Sequence, residues 1–175
     1  TKIDHKTDLL GQKLAKLEYG TSTGRQRMVG WFDAVEKGSS LRYCGFEELV
    51  INKLDALTLD KKTEDSDLKI CVAYRSSDGE IIRDVPRSES SHRSLTPVYE
   101  SLKGWHNDIS GIKYYNHLPP EAKAYISKMV GSMIECAYPE GYELTKLPKI
   151  RFIGVGPDPG QIISDIPKTL DLINK

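Results

Sequence analysis

The run L-K-I-C-V-A-Y-R at 68–75 is the stretch on which the fold turns. Ile70, Cys71, Val72, Ala73 and Tyr74 are small, β-branched or aromatic, and only Lys69 interrupts them, so the segment reads as a largely buried strand. It is followed by Ser76-Ser77-Asp78-Gly79, a turn sequence, and by a returning run at 80–85. Together these predict an antiparallel hairpin.

Working outward, Leu49, Val50 and Ile51 predict a short buried strand that ends in Asn52-Lys53-Leu54-Asp55. A strand at 149–153 ends in the glycine-rich turn G-V-G-P-D-P-G at 154–160. Helices are expected at 7–19 (Thr7 as cap, Leu9, Leu10, Leu14 and Leu17 as the apolar face, Gly20 at the C-terminal stop), at 34–44 behind the cap candidate Asp33, and at 118–133 opening on L-P-P-E. In the last of these, Ala124, Ile126, Met129 and Val130 form the expected buried stripe. Segments 59–66, 87–93 and 137–148 read as loops, and 97–105 as an irregular segment anchored by Tyr99 and Trp105. The fold class is therefore α/β: a mixed sheet with flanking helices and an antiparallel hairpin.

Composition narrows the function. With 175 residues, 25 Lys+Arg and 25 Asp+Glu, the chain can bury a real core but has no net field to attract nucleic acid or an anionic membrane. No apolar run is long enough for a membrane helix. Cys44, Cys71 and Cys136 lie far apart in apolar surroundings and read as reduced packing residues of a cytoplasmic protein. His5, His92, His106 and His117 have no metal-ligand spacing, and there is no G-x-x-x-x-G-K-[ST], G-x-S-x-G or H-E-x-x-H run.

What chemistry remains lies in polar turns at element ends. Residues 19–32 read Y-G-T-S-T-G-R-Q-R-M-V-G-W-F: two glycines enclose three hydroxyls, and Arg25 and Arg27 follow. Glycine permits positive φ, hydroxyls donate at short range, and guanidinium forks match carboxylates or phosphates, so this loop is an anion-site candidate. A solvated surface turn is its plainer reading.

In order and spacing, the motifs T-S-T-G-R-Q-R (21–27), G-W-F-D (30–33), N-K-L-D (52–55), K-I-C-V-A-Y-R (69–75), Y-E-S-L-K-G-W (99–105), L-P-P-E (118–121) and G-V-G-P-D-P (154–159) resemble the C-terminal part of adenylosuccinate synthetase. The resemblance covers most of the chain, which begins at Thr1 without a methionine. It implies a portion of a larger P-loop-NTPase-like ligase that uses GTP to join inosine monophosphate (IMP) and L-aspartate, forming adenylosuccinate in AMP biosynthesis. Thr21, Ser22, Thr23, Gly24, Arg25, Gln26 and Arg27, within a loop at 20–30, would bind aspartate and IMP. Arg25 would reach the inosinate ribose and Arg27 the GTP side. Lys53, Leu54 and Asp55, with Gly154, Val155 and Gly156, would hold guanine in a pocket formed by strand ends 52–55 and 154–157. The phosphate loop, the catalytic residues and the Mg²⁺ ligands would belong to an N-terminal part with no counterpart here, so the chain alone is expected to be inactive. The resemblance also implies a homodimer. Two departures are visible: Pro159 stands where the family carries arginine, and segment 133–148 is longer than the family's connection. The alternatives are a non-catalytic nucleotide-binding or regulatory relative, and a structural half-domain without a ligand.

Overall fold

The computed structural model describes every residue except 5, 87, 142, 144–146 and 175. His5, Arg87 at the start of the segment 87–93, and part of the segment 137–148 thus lie outside the described residues.

Strand β3 (Asp67–Arg75) forms as its composition predicts and is the central strand of a four-stranded sheet. Leu68, Ile70, Cys71, Ala73 and Tyr74 are buried. Along one edge β3 pairs antiparallel with β5 (Thr96–Lys103), from Asp67 opposite Lys103 to Arg75 opposite Thr96. Its other edge is shared by β1 (Phe32–Asp33), which is parallel to it at Ile70 and Cys71, and by β4 (Ile81–Ile82), which completes the expected hairpin at Tyr74 and Arg75. The segment 97–105, read as irregular, is largely this second long strand. Its exposed Thr96, Glu100, Ser101 and Lys103 hide the alternation that pairing with β3 enforces.

Helix α2 (Ala34–Cys44) follows β1 directly and starts where Asp33 predicts: the carboxylate accepts from Val35 N and Glu36 N, both at 3.1 Å. Gly38, Ser39 and Ser40 do not interrupt it. Gly38 is the point of closest approach to α4 (Pro120–Ala137), where an added Cβ would sit 2.6 Å from Cys136 Cβ and 2.7 Å from Met133 O. Helix α4 runs one turn beyond the expected end and buries Ala122 rather than Ala124, together with Tyr125, Ile126, Met129, Val130 and Met133. Tyr125 meets Trp105 edge-on, and the Trp105 indole N–H donates to Thr58 Oγ1 at 2.9 Å. The short helix α3 (Glu89–Arg93) lies in the segment read as loop, and α5 (Thr169–Ile173), which packs on α4, carried no sequence signal.

A second, three-stranded sheet places β6 (Lys149–Gly154) between β2 (Glu48–Ile51), parallel to it, and β7 (Ile162–Ile163), antiparallel. β2 is not the buried strand its Leu-Val-Ile suggests, since Val50 is 53% exposed. Helix α1 (Leu9–Leu17) is capped by Asp8, not Thr7, with Asp8 Oδ1 accepting from Gly11 N at 2.7 Å. Its leucine stripe is only half used: Leu10 is buried, whereas Leu9 and Leu17 face solvent. The helix ends at Glu18, two residues before Gly20.

Candidate functional site

The loop after α1 is closed by its own backbone. Tyr19 bridges Gln26, Gly20 N donates to Arg25 O at 2.8 Å, Gly24 N donates to Gly20 O at 2.8 Å, and Arg27 N donates to Glu18 O at 2.9 Å. Gly24 has φ of +62°, the conformation its glycine permits, and a Cβ there would meet nothing within 4 Å. The hydroxyl-bearing Thr21, Ser22 and Thr23, and Arg25, Gln26 and Arg27, are all exposed. Thr23 Oγ1 accepts a long bond from Arg25 N at 3.4 Å. The loop therefore presents its donors outward on a frame of short backbone bonds.

The second polar turn leaves β2. Lys53 is the one non-glycine residue with positive φ among the described residues, at +59°. Such a conformation costs an L-residue roughly 1–2 kcal/mol and marks a position held by its surroundings. It opens a single 3-10 turn (Leu54–Leu57), whose first acceptor is Lys53 O, bound by Ala56 N at 3.2 Å. Leu54 is buried and anchors the turn, while Asp55 is half-buried. Asp55 Oδ1 is fully enclosed and has no hydrogen-bond partner among the described residues. A buried carboxylate oxygen without a donor is costly, on the order of 1–3 kcal/mol, so Asp55, like Ser132 Oγ, is an exception that calls for a physical reason.

The third turn sits beside the second because β6 runs parallel to β2. Gly154 lies against Asn52, where a Cβ would come within 3.4 Å of Asn52 Oδ1. Val155 is fully buried, so only its backbone is at hand, and its N–H donates to Gln161 O at 2.9 Å. Gln161 locks the rest: its side-chain oxygen accepts from Asp158 N and its own N–H donates to Asp158 O, both at 2.9 Å. At Gly156 any side chain would collide with Gln161, with Cβ only 2.2 Å from Oε1.

Two residues that the sequence reading passed over hold these turns. Gln161 is one. Glu18 is the other: its Oε2 faces Arg27 Nη1 at 3.7 Å and its Oε1 binds Lys53 Nζ. One carboxylate thus joins the arginine loop to the β2 turn. The signal was present, because an acidic residue at the C-terminal end of a helix opposes the macrodipole and calls for cationic partners.

The remaining reactive groups are structural. Burial pushes the Cys71 thiol up to about 12, helped by the nearby Asp33 carboxylate, and burial pushes Cys136 up to about 11. Both are packing thiols, as expected; Cys44, expected to be a third, is instead exposed at the end of α2. Burial and its bond to Asp33 Oδ2, 2.7 Å away, also hold the Tyr74 phenol well above its ordinary range. Among the described residues no three His, Cys, Asp or Glu side chains gather as metal ligands, and no helix is long and apolar enough to cross a membrane.

The chain is a mixed α/β protein with two of its polar turns at the ends of the parallel pair β2 and β6, the place where α/β sheets commonly hold ligands. The family model of adenylosuccinate synthetase matches residues 3–163. Curated relatives include the adenylosuccinate synthetase of Shouchella clausii, 38% identical over 92% of this chain and 33% of its own, and that of Blochmanniella floridana, 43% identical over 64% of this chain and 24% of its own. A structure of fully ligated adenylosuccinate synthetase from Plasmodium falciparum superposes with a TM-score of 0.75 at 29% identity, covering 94% of this chain and 35% of that one. The chain belongs to the adenylosuccinate synthetase family. It spans about a third of the length of the curated relatives it matches.

Proposed function

We propose that this chain supplies the amino-acid and guanine-nucleotide binding elements of a GTP-dependent ligase that joins IMP and L-aspartate into adenylosuccinate for AMP biosynthesis. Family membership supports the reaction, and the enclosed, unpartnered Asp55 Oδ1 carries the assignment of the base site. Guanine offers N1–H and N2–H₂ as adjacent donors to a carboxylate; adenine does not. Lys53 and Leu54 frame Asp55 from one strand end, and Gly154, Val155 and Gly156 supply a largely backbone edge from the neighbouring one, with the Val155 side chain buried.

The exposed loop from Thr21 through Ser22, Thr23, Gly24, Arg25 and Gln26 to Arg27 binds aspartate and reaches IMP. Aspartate brings two carboxylates, and paired guanidinium forks fix both the position and the rotation of such groups. In the reaction the γ-phosphoryl group of GTP passes to the purine O6, and the aspartate amine then displaces it as phosphate, forming the C–N bond. The residues described here orient the two ends of that exchange. Mg²⁺ belongs to the proposed chemistry, but the described residues offer no ligand set that fits it, and no step is assigned to it. The working form would be a cytoplasmic homodimer.

Base discrimination in the complete protein tests this reading. GTP should be preferred over ATP by at least roughly tenfold to a hundredfold, because adenine leaves Asp55 without donors. Asp55→Asn should erode the preference, and a variant that discriminates as well as the parent would remove Asp55 from the base site.

A further inference from the structure

Glu18 occupies a position that the assignment of the two binding elements does not explain. It is the C-cap residue of α1, the helix that delivers the chain into the arginine loop, and its backbone oxygen already receives Arg27 N at 2.9 Å. Its side chain is largely covered, at 21% exposure, while Lys53 and Arg27 extend over it at 61% and 63%. The two cations are therefore held near each other by one shared carboxylate. The Lys53 contact is a hydrogen-bonded ion pair, whereas Arg27 at 3.7 Å makes only a charge contact. The weaker of the two is the one a ligand can displace.

From this geometry we infer that Glu18 is a positioning residue that couples the dicarboxylate site to the guanine site. This inference rests on the proposed roles of Arg27 and Lys53. In the ligand-free arrangement Glu18 divides its charge between the two cations. A dicarboxylate on Arg27 takes over that neutralisation, and Glu18 is left wholly to Lys53. Lys53 is the strained left-handed residue whose carbonyl begins the turn that carries Asp55, so a firmer hold on its side chain keeps Asp55 aimed at the arriving base. The path runs from a carboxylate ligand through Arg27, Glu18 and Lys53 to Asp55, with each link a contact between neighbours. Linkage makes the effect mutual: a nucleotide that immobilises Lys53 must favour the dicarboxylate by the same factor. Because the contacts are partly solvated, the factor should be modest, about threefold to fivefold.

Affinities alone cannot report this role. Removing Glu18 frees Arg27 from a competitor and could tighten dicarboxylate binding even as the coupling disappears. The informative quantity is the ratio of GDP dissociation constants without and with saturating succinate, measured by calorimetry on the complete protein. For the parent the ratio should be about three to five, and for Glu18→Gln about one. Glu18→Asp keeps the charge but shortens the reach; it should also give a ratio near one and carries the test should the glutamine variant fail to fold. A merely structural Glu18 would shift both constants in parallel and preserve the parent's ratio in the variants, which would overturn the coupling, as would a parent ratio of one. A parent that binds neither succinate nor GDP would overturn the site assignment itself, and the coupling with it.

Discussion

Asp33 and Asp55 each stand where a strand gives way to a helical turn, and they are treated in opposite ways. Asp33 has its acceptors filled: Oδ1 receives Val35 N and Glu36 N, and Oδ2 receives the Tyr74 hydroxyl. It ties β1, α2 and β3 into one unit. Asp55 leaves an enclosed oxygen with no donor among the described residues, on a turn opened by a strained lysine. A carboxylate that serves the fold is saturated by the fold; the one left wanting at a strand end is the one for which we propose a ligand.

The sharpest way to break that contrast is at its saturated end. Asp33→Ala removes a helix cap and leaves the buried Tyr74 hydroxyl without its acceptor, which together should cost about 2–4 kcal/mol. Denaturant unfolding followed through the buried Trp31 and Trp105 would reveal it as a lowered midpoint. An unchanged midpoint would mean that Asp33 is no more a keystone than Asp55. At the ligand end, Arg27→Lys in the complete enzyme replaces a bidentate fork by a point charge. The KM for aspartate should rise by one to two decades, about 1.5–3 kcal/mol. Saturation curves that superimpose on the parent's would return the loop to the plain solvated turn that its composition also allows.

Alkaline titration separates the regions without mutation. In the core, burial raises Cys71 and the phenols of Tyr99 and Tyr125 to about 12 and Cys136 to about 11, from ordinary values of 9.0 for the thiols and 10.0 for the phenols. The folded state therefore keeps protons that the unfolded chain has released. The corresponding stability is complete below about pH 9, declines above it, and is lost as pH rises through these folded values of 11 to 12. The unfolding midpoint should fall steadily from about pH 9 upward, and a flat profile would contradict the burial of these groups. The smallest effect belongs to Gly24. A Cβ there meets no neighbour, so its positive φ is the only constraint, and Gly24→Val should cost about 1–2 kcal/mol through that strain and raise the aspartate KM by about fivefold through a shifted loop.

These regions also differed in how plainly the sequence announced them. The saturated core was legible because its parts carry local signals: Asp33 before a helix, a run of β-formers at 70–74 in β3, a proline opening for α4. β5 escaped notice because it contains Pro97, Glu100, Ser101 and Lys103, and its strand character comes from pairing with β3 rather than from its own composition. The α1 stripe misled in the other direction, as periodicity marks a face but does not say that anything covers Leu9 and Leu17. At the candidate site, the turns were visible as glycines, hydroxyls and arginines. Their mutual placement was not, because Glu18 and Lys53 meet only through tertiary structure.

The parallel pairing of β2 with β6 sets a schedule for assembly. Val50 lies opposite Phe152, about a hundred positions along the chain, and contacts so distant in sequence close late because a large loop must first be ordered. The arginine loop is closed by backbone bonds between residues near in sequence, and such local contacts close early. The edge built from Gly154 cannot exist until β6 has been synthesised and has found β2. Under the proposed roles, a nascent chain would therefore acquire its carboxylate-facing half first, and guanine nucleotide could assist maturation only in the last step, by trapping a rim that has just closed.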